Sequence, residues 1–96
     1  MMMSTEIYSK IIHQSEYKQI RMTISEFRDV EYIHFREYYQ DFDEDWKPTN
    51  KGVHIPFEID SSKELFRGIS EVLSLAENKE VIEEYFSEII KEAYTK

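Results

Sequence analysis

Aromatic and cationic side chains alternate closely through the middle of this 96-residue chain. Phe27 precedes Arg28, Arg36 is followed by Glu37, Tyr38 and Tyr39, Trp46 precedes Lys47, and Lys51 comes shortly after. One chemistry needs that mixture: flat rings stack on unpaired nucleobases while Lys and Arg follow the phosphate backbone. The same residues also have a plainer role. Aromatics on strands are most often core, and neighbouring cations most often solubilise. On periodicity alone the plainer role carries more weight.

Other chemistries find less support. His13, His34 and His54 lack metal-ligand spacing and read as exposed strand histidines. The acidic run Asp41 to Asp45 lacks the glycine and ligand pattern of a calcium loop and reads as a solvated loop. Gly52 and Gly68 are the only glycines, too few for a phosphate-cradling loop, and no nucleophile motif is present. Cysteine is absent, which excludes disulfides and thiolate metal sites and fits a reducing compartment. No cofactor and no catalysis are expected.

The formal net charge of -8, from 12 basic and 20 acidic residues, opposes phosphate binding when taken alone. The charge is uneven. Lys18 to Lys51 holds six basic and eight acidic residues, whereas Gly52 onward holds five and ten. A locally basic face on an acidic protein is consistent with this distribution. No run approaches the roughly 18 apolar residues of a membrane span. The opening Met1–Thr5 has no basic start and no long apolar run, so no leader is expected.

The elements that must position these residues follow from hydrophobic period. Glu6 to His13 is β-rich, with its facing undecided, and His13 to Glu16 reads as a turn. Ile20, Met22 and Ile24 alternate with Arg21, Thr23 and Ser25, as in a half-buried strand. Glu26 to Asp29 would connect it to a strand over Val30 to Tyr39, with Ile33 and Phe35 towards a core and Tyr32, His34 and Arg36 on the other side. Gln40 to Asp45 reads as a loop. Val53, Ile55 and Phe57 form a fourth strand, which Pro56 should keep short or at an edge. From Ser62, a fair N-cap with Glu64 in the first turn, the period becomes helical. Leu65, Phe66, Ile69, Val72, Leu73 and Ala76 make one stripe, Glu77 to Lys79 breaks the run, and Val81 to Tyr94 makes a second, wider stripe. The expected class is α+β: one domain over residues 1–96, with an antiparallel sheet over 6–57 and a helical dimerisation region over 62–95.

Three stretches together resemble the transcriptional Positive Cofactor Four family. They are Ile24 to Arg28, then Ile33 to Tyr39, then Trp46 to Val53. The close match covers about a third of the chain, and the order of elements extends it to about Leu73. The resemblance implies a curved four-stranded antiparallel sheet followed by a helix, paired into a homodimer that holds single-stranded or melted DNA with little sequence preference. Carried over by position, Phe27 would stack on a base and Arg28 would contact the backbone beside it. Arg36 would meet phosphate or base, and Tyr39 would be the second stacking ring. Lys47 and Lys51 would contact phosphate, Pro48 would shape their turn and Gly52 would permit it. Simple alternation places Tyr39 with Ile33 and Phe35, so this role needs a bulge near Glu37; otherwise Tyr38 is the exposed ring.

The departures from the family pattern each remove positive charge or add negative charge. Asp29 stands where the family usually has glycine, Val30 where it usually has lysine, and Ser25 at a position that is often basic. The loop before Trp46 is acidic. The second helix exceeds the minimal family core, and no Ser-rich tail is present. These features fit a cytoplasmic protein of a bacterial, archaeal or viral-host cell, nuclear if eukaryotic, with partners in transcription or replication and none in the membrane. The competing expectation is an acidic dimeric interaction module that has kept the fold and lost DNA binding.

Overall fold

The computed structural model describes residues 5–95. Met1–Ser4, most of the opening read above as lacking a leader pattern, and Lys96 lie outside the described residues. Four strands, β1 (Thr5–Gln14), β2 (Lys18–Phe27), β3 (Val30–Gln40) and β4 (Trp46–Pro56), precede two helices, α1 (Ile59–Ser74) and α2 (Lys79–Tyr94). The strands form one antiparallel sheet in the order β1-β2-β3-β4. The chain divides into two compact units between Ser61 and Ser62.

Period-2 alternation sorts the sheet into two faces. Met22 pairs with Phe35 and Ile24 with Ile33, and these rows continue to Val53 and Ile55 on β4. Tyr8 of β1 joins them opposite Ile24. The other face carries Gln19, Arg21, Thr23 and Ser25, opposite Tyr38, Arg36, His34 and Tyr32 in turn. Burial is inverted relative to polarity. Ile33 is the buried apolar residue among those described, whereas Gln19, Thr23 and Ser25 are buried on the polar face. Val53 stays 66% exposed and Ile7 56%.

The strand boundaries differ from expectation in ways the hydrogen bonds explain. Glu26 and Phe27 remain in the ladder, opposite Glu31 and Val30, so the turn shrinks to Arg28–Asp29. Both take positive φ, 52° and 65°, the geometry of a two-residue type I′ hairpin. β1 carries register irregularities between Glu6 and Tyr8 and between Ile11 and His13. Each puts two β1 steps against one on β2, which is why no single alternation describes its facing.

β4 lies at the edge, as Pro56 requires, but it is long rather than short, because it starts at Trp46. An edge strand also tolerates Pro48. Between Arg36 and Tyr38 the register breaks: Arg36 faces Gly52 and Tyr38 faces Pro48. The extra residues belong to β4. There Thr49 Oγ1 donates to the Glu37 carbonyl at 3.0 Å and accepts from the Lys51 N–H at 3.0 Å, satisfying groups the broken ladder leaves free.

α1 begins at Ile59 rather than after Ser62, and Asp60 supplies the acid in its first turn. The break near Glu77 is real. Asn78 caps α2 by accepting the Val81 N–H on Oδ1 at 3.0 Å, and Lys91 lies in the last turn. Phe66 and Phe86 meet with ring centroids 5.8 Å apart. Neither helix contains a buried residue, and no described helix is long and apolar enough to cross a membrane.

Gly52 is required by close approach rather than by its backbone angle. A Cβ there would sit 2.7 Å from the Phe35 carbonyl oxygen and 3.2 Å from the Arg36 Cα. Because the obstacle is backbone, Gly52→Ala should cost about 1–3 kcal/mol, as overpacking does. Urea unfolding checks this through a lower midpoint with an unchanged slope.

Candidate nucleic-acid interface

The polar face gathers cations and rings without neutralising them. Arg21 and Arg36 face each other across β2 and β3. The Arg21 guanidinium lies 4.1 Å from the centroid of the Tyr38 ring, and its Nε donates to Gln19 Oε1 at 2.8 Å. Gln19 Nε2 in turn donates to Gln14 Oε1 at 2.9 Å. Arg21 is therefore positioned by an aromatic face and a neutral amide chain. Among the described residues no carboxylate pairs with Arg21, Arg28 or Arg36. A guanidinium held this way stays free to bind phosphate, and the stacked ring beside it resists wandering.

Thr23, Ser25, His34, Arg36 and Tyr38 line a shallow concavity with Glu6 of β1 at its rim. Ser25 Oγ and His34 Nε2 are hydrogen-bonded at 2.7 Å. His34 and His54 are cross-strand partners with ring centroids 5.4 Å apart, and Tyr32 meets His54 edge-on at 5.4 Å. Burial, then the charges of His54 and Arg36, hold the His34 imidazole below its usual value. The unfolded chain therefore binds the proton more readily. The stability tied to this shift is complete above the ordinary histidine range and is lost as pH falls towards the lowered value.

The residues expected to bind nucleic acid fall into two groups. Arg36 lies on the polar face, and alternation from Thr23 and Ser25 puts Phe27 there too, at the hairpin end. Arg28 follows it, with its guanidinium 5.0 Å from the Phe27 ring centroid. Tyr39, Lys47 and Lys51 group elsewhere. The β2–β3 register runs unbroken to Lys18 and Tyr39, because the bulge at the level of Glu37 is in β4. Tyr39 is therefore on the opposite side from Arg36, facing Lys47 on β4. Lys47 Nζ lies 2.8 Å from Asp41 Oδ2, and Lys51 Nζ lies 4.0 Å from Glu37 Oε2. Glu37 also reaches Lys18 at 3.6 Å.

Asp41 organises the acidic loop as well as holding Lys47. Its Oδ1 accepts the N–H groups of Asp43 at 2.9 Å and Asp45 at 3.0 Å, while its own N–H donates to the Asp45 carbonyl at 2.9 Å. The hydrogen bond from Lys47, then that from Asp45, holds its carboxyl below the usual carboxylate range, and the same contact raises Lys47. Arg21 and Tyr38 are the residues sequence reasoning underrated. Their signal was present: each falls on the polar phase of its strand, and the register makes them neighbours.

The fold and this face define a class: an open four-stranded antiparallel sheet followed by two helices, presenting basic and aromatic side chains on one sheet surface. The model of the family described as Transcriptional Coactivator p15 (PC4) matches residues 15–59, which hold β2, β3 and β4. A bacteriophage T5 homolog of the eukaryotic transcription coactivator PC4, implicated in recombination-dependent DNA replication, has a similar structure. It is 29% identical, with a TM-score of 0.71 over 85% of this chain and 93% of that one. A PC4 homolog from Burkholderia pseudomallei K96243 is 27% identical, with a TM-score of 0.50 over 74% of this chain and 92% of that one. No curated protein sequence matches. Across its central strands the sequence matches the PC4 family model, and its fold is similar to those of the solved PC4 homologs.

The Asp41–Lys47 pair gives a direct test of electrostatic competition. Asp41→Asn keeps an oxygen for the Asp43 and Asp45 N–H groups but removes the charge facing Lys47. If Lys47 contacts phosphate, single-strand affinity should rise and its salt dependence should steepen by about 0.7 in log–log slope, one further phosphate contact. Fluorescence anisotropy at several salt concentrations measures both.

Proposed function

We propose that this chain is a homodimeric protein that binds single-stranded or melted DNA with little sequence preference, and that it is a binding protein rather than a catalyst. The observation that carries this reading is the pairing of Arg21 and Arg36, without carboxylate partners among the described residues, beside Tyr38 on one sheet face. Stacking rings and free guanidinium groups are what an unpaired strand requires, and neither selects strongly among bases. Phe27 and Arg28 extend the track to the hairpin end. Tyr39, Lys47 and Lys51 supply a second track along the β4 side, open once DNA displaces Asp41 and Glu37. The T5 homolog's link to recombination-dependent replication supports a role in handling unwound DNA.

The second reading, an acidic interaction module, has an observation of its own: Lys18, Lys47 and Lys51 are all engaged by carboxylates of this chain. Salt dependence separates the two. Titration of a fluorescent single strand and its duplex at low salt should favour the single strand, with a log–log slope of about -0.7 for each phosphate neutralised. Arg21→Gln and Arg36→Gln should each flatten that slope by about one such step. No single-strand binding at low salt would leave the interaction module standing.

Dimerisation rests on the helical unit. Phe66, Ile69, Val72, Ile89 and Ile90 are each close to half exposed or more, an apolar area too continuous to leave in water. Placing a carboxylate in such a face when it is covered is costly. Phe86→Glu with Ile90→Glu should convert a dimer to monomer or unfold it, as read by analytical ultracentrifugation and thermal melting. An unchanged mass and melting curve would show that α2 is peripheral.

A further inference from the structure

Tyr32, His34 and His54 sit together on the polar face, and none belongs to the binding residues placed above. His54 is exposed, and Tyr32 and His34 are half-buried beside it. The three rings form one cluster across β3 and β4, with centroids 5.4 Å apart for each pair involving His54 and 6.3 Å for Tyr32 and His34. Two imidazoles at this spacing repel once both are charged, and an anion between them relieves that repulsion. We propose that Tyr32, His34 and His54 form a proton-gated subsite of the single-strand track, stacking a base when neutral and adding phosphate contacts when protonated.

The surroundings set the direction of the gate. β2 contributes Ser25, hydrogen-bonded to His34, with Thr23 as its cross-strand partner and Arg21 further along. β3 adds Arg36 and Tyr38, and β4 adds His54. β1 brings Glu6, the one carboxylate lining the concavity. Burial, then the charges of His54 and Arg36, oppose protonation of His34 in the free protein. When His34 is protonated both ring nitrogens donate. Nε2–H then points to Ser25 Oγ, and Nδ1–H and the freed serine hydroxyl remain for a phosphate oxygen. Bound phosphate offsets the repulsion from Arg36 and His54, so DNA binding and proton uptake favour each other, as linkage requires. The track already has permanent cations in Arg21 and Arg36. The histidine pair therefore adjusts affinity rather than creating it.

This inference rests on single-strand binding, and the test separates the two. The probe is a fluorescent oligo-thymidylate, whose bases do not titrate in the histidine range. Its affinity is measured at fixed salt between about pH 8 and about pH 5.5, which brackets histidine titration. Wild-type protein should bind roughly tenfold more tightly at the lower pH, the scale of one charge-assisted hydrogen bond, with a steeper salt slope. His13→Gln should keep the gain, since His13 pairs with Ile20 on the other face. His34→Gln with His54→Gln should lose the gain and, at the higher pH, bind more weakly than wild type through the remaining arginine track. His54→Gln alone, at an exposed position, should lose part of it even if the double variant folds poorly. A gain that survives in both His54 variants, or its absence in a wild type that binds at the higher pH, overturns the proton gate and leaves the track intact. Absence of binding at both pH values instead removes the single-strand reading itself.

Discussion

Ten consecutive residue pairs join β2 to β3, from Lys18–Tyr39 to Phe27–Val30, without a bulge. That unbroken register is the constraint from which the two faces of the sheet follow. A slip of one residue would move every β2 side chain to the opposite surface. With the register fixed, Ile20, Met22 and Ile24 share a face with Ile33 and Phe35, and Arg21 and Arg36 become cross-strand partners on the other. Two neighbouring cations destabilise a hairpin unless something offsets them. Tyr38 does so for Arg21, by presenting the negative face of its ring at 4.1 Å. The pair is thus tolerated in the free protein and remains a good receiver for an anion.

The regularity of β2 and β3 forces the irregularities to their neighbours. β1 twice places two residues against one, and β4 absorbs the extra residues between Pro48 and Gly52. Each edge strand keeps its ladder where it can and repairs it with side chains where it cannot, as Thr49 does for the Glu37 carbonyl. Bulged and proline-bearing edges also discourage pairing with foreign strands. Gly52 completes this arrangement by letting β4 come back against Phe35 and Arg36 after the bulge.

Much of this was legible in the sequence because period 2 survives in β2 and β3. Ile20, Met22 and Ile24 against Arg21, Thr23 and Ser25 announce both faces, and the motifs around Phe27, Arg36 and Lys47 announce the family. Three things were not legible. The length of β4 was hidden because Trp46–Lys51 has no clean alternation, its bulge being held by Thr49 rather than by pattern. The start of α1 at Ile59 was hidden because Ser62 looks like a better cap than anything before it. The grouping of the cations was hidden because ion pairing depends on contacts across the sheet. Lys47 and Asp41 meet only when the loop closes on itself.

The overall charge of -8 and the proposed ligand are reconciled by distance. A charge that acts on DNA through water is screened beyond roughly 8 Å at physiological salt. Arg21 and Arg36 act at contact. The acids that matter are therefore those close to the basic residues: Glu6, which lines the concavity with Arg36, and Asp41 and Glu37, each already bonded to lysine. The lysine ends of these pairs are exposed, which weakens such bonds. A phosphate arriving at Lys47 or Lys51 replaces one anion with another, so the lysines gain little. The arginines have no such partner to give up. Affinity should therefore concentrate on the β2–β3 surface, and the lysine side should act chiefly to guide the strand along the edge.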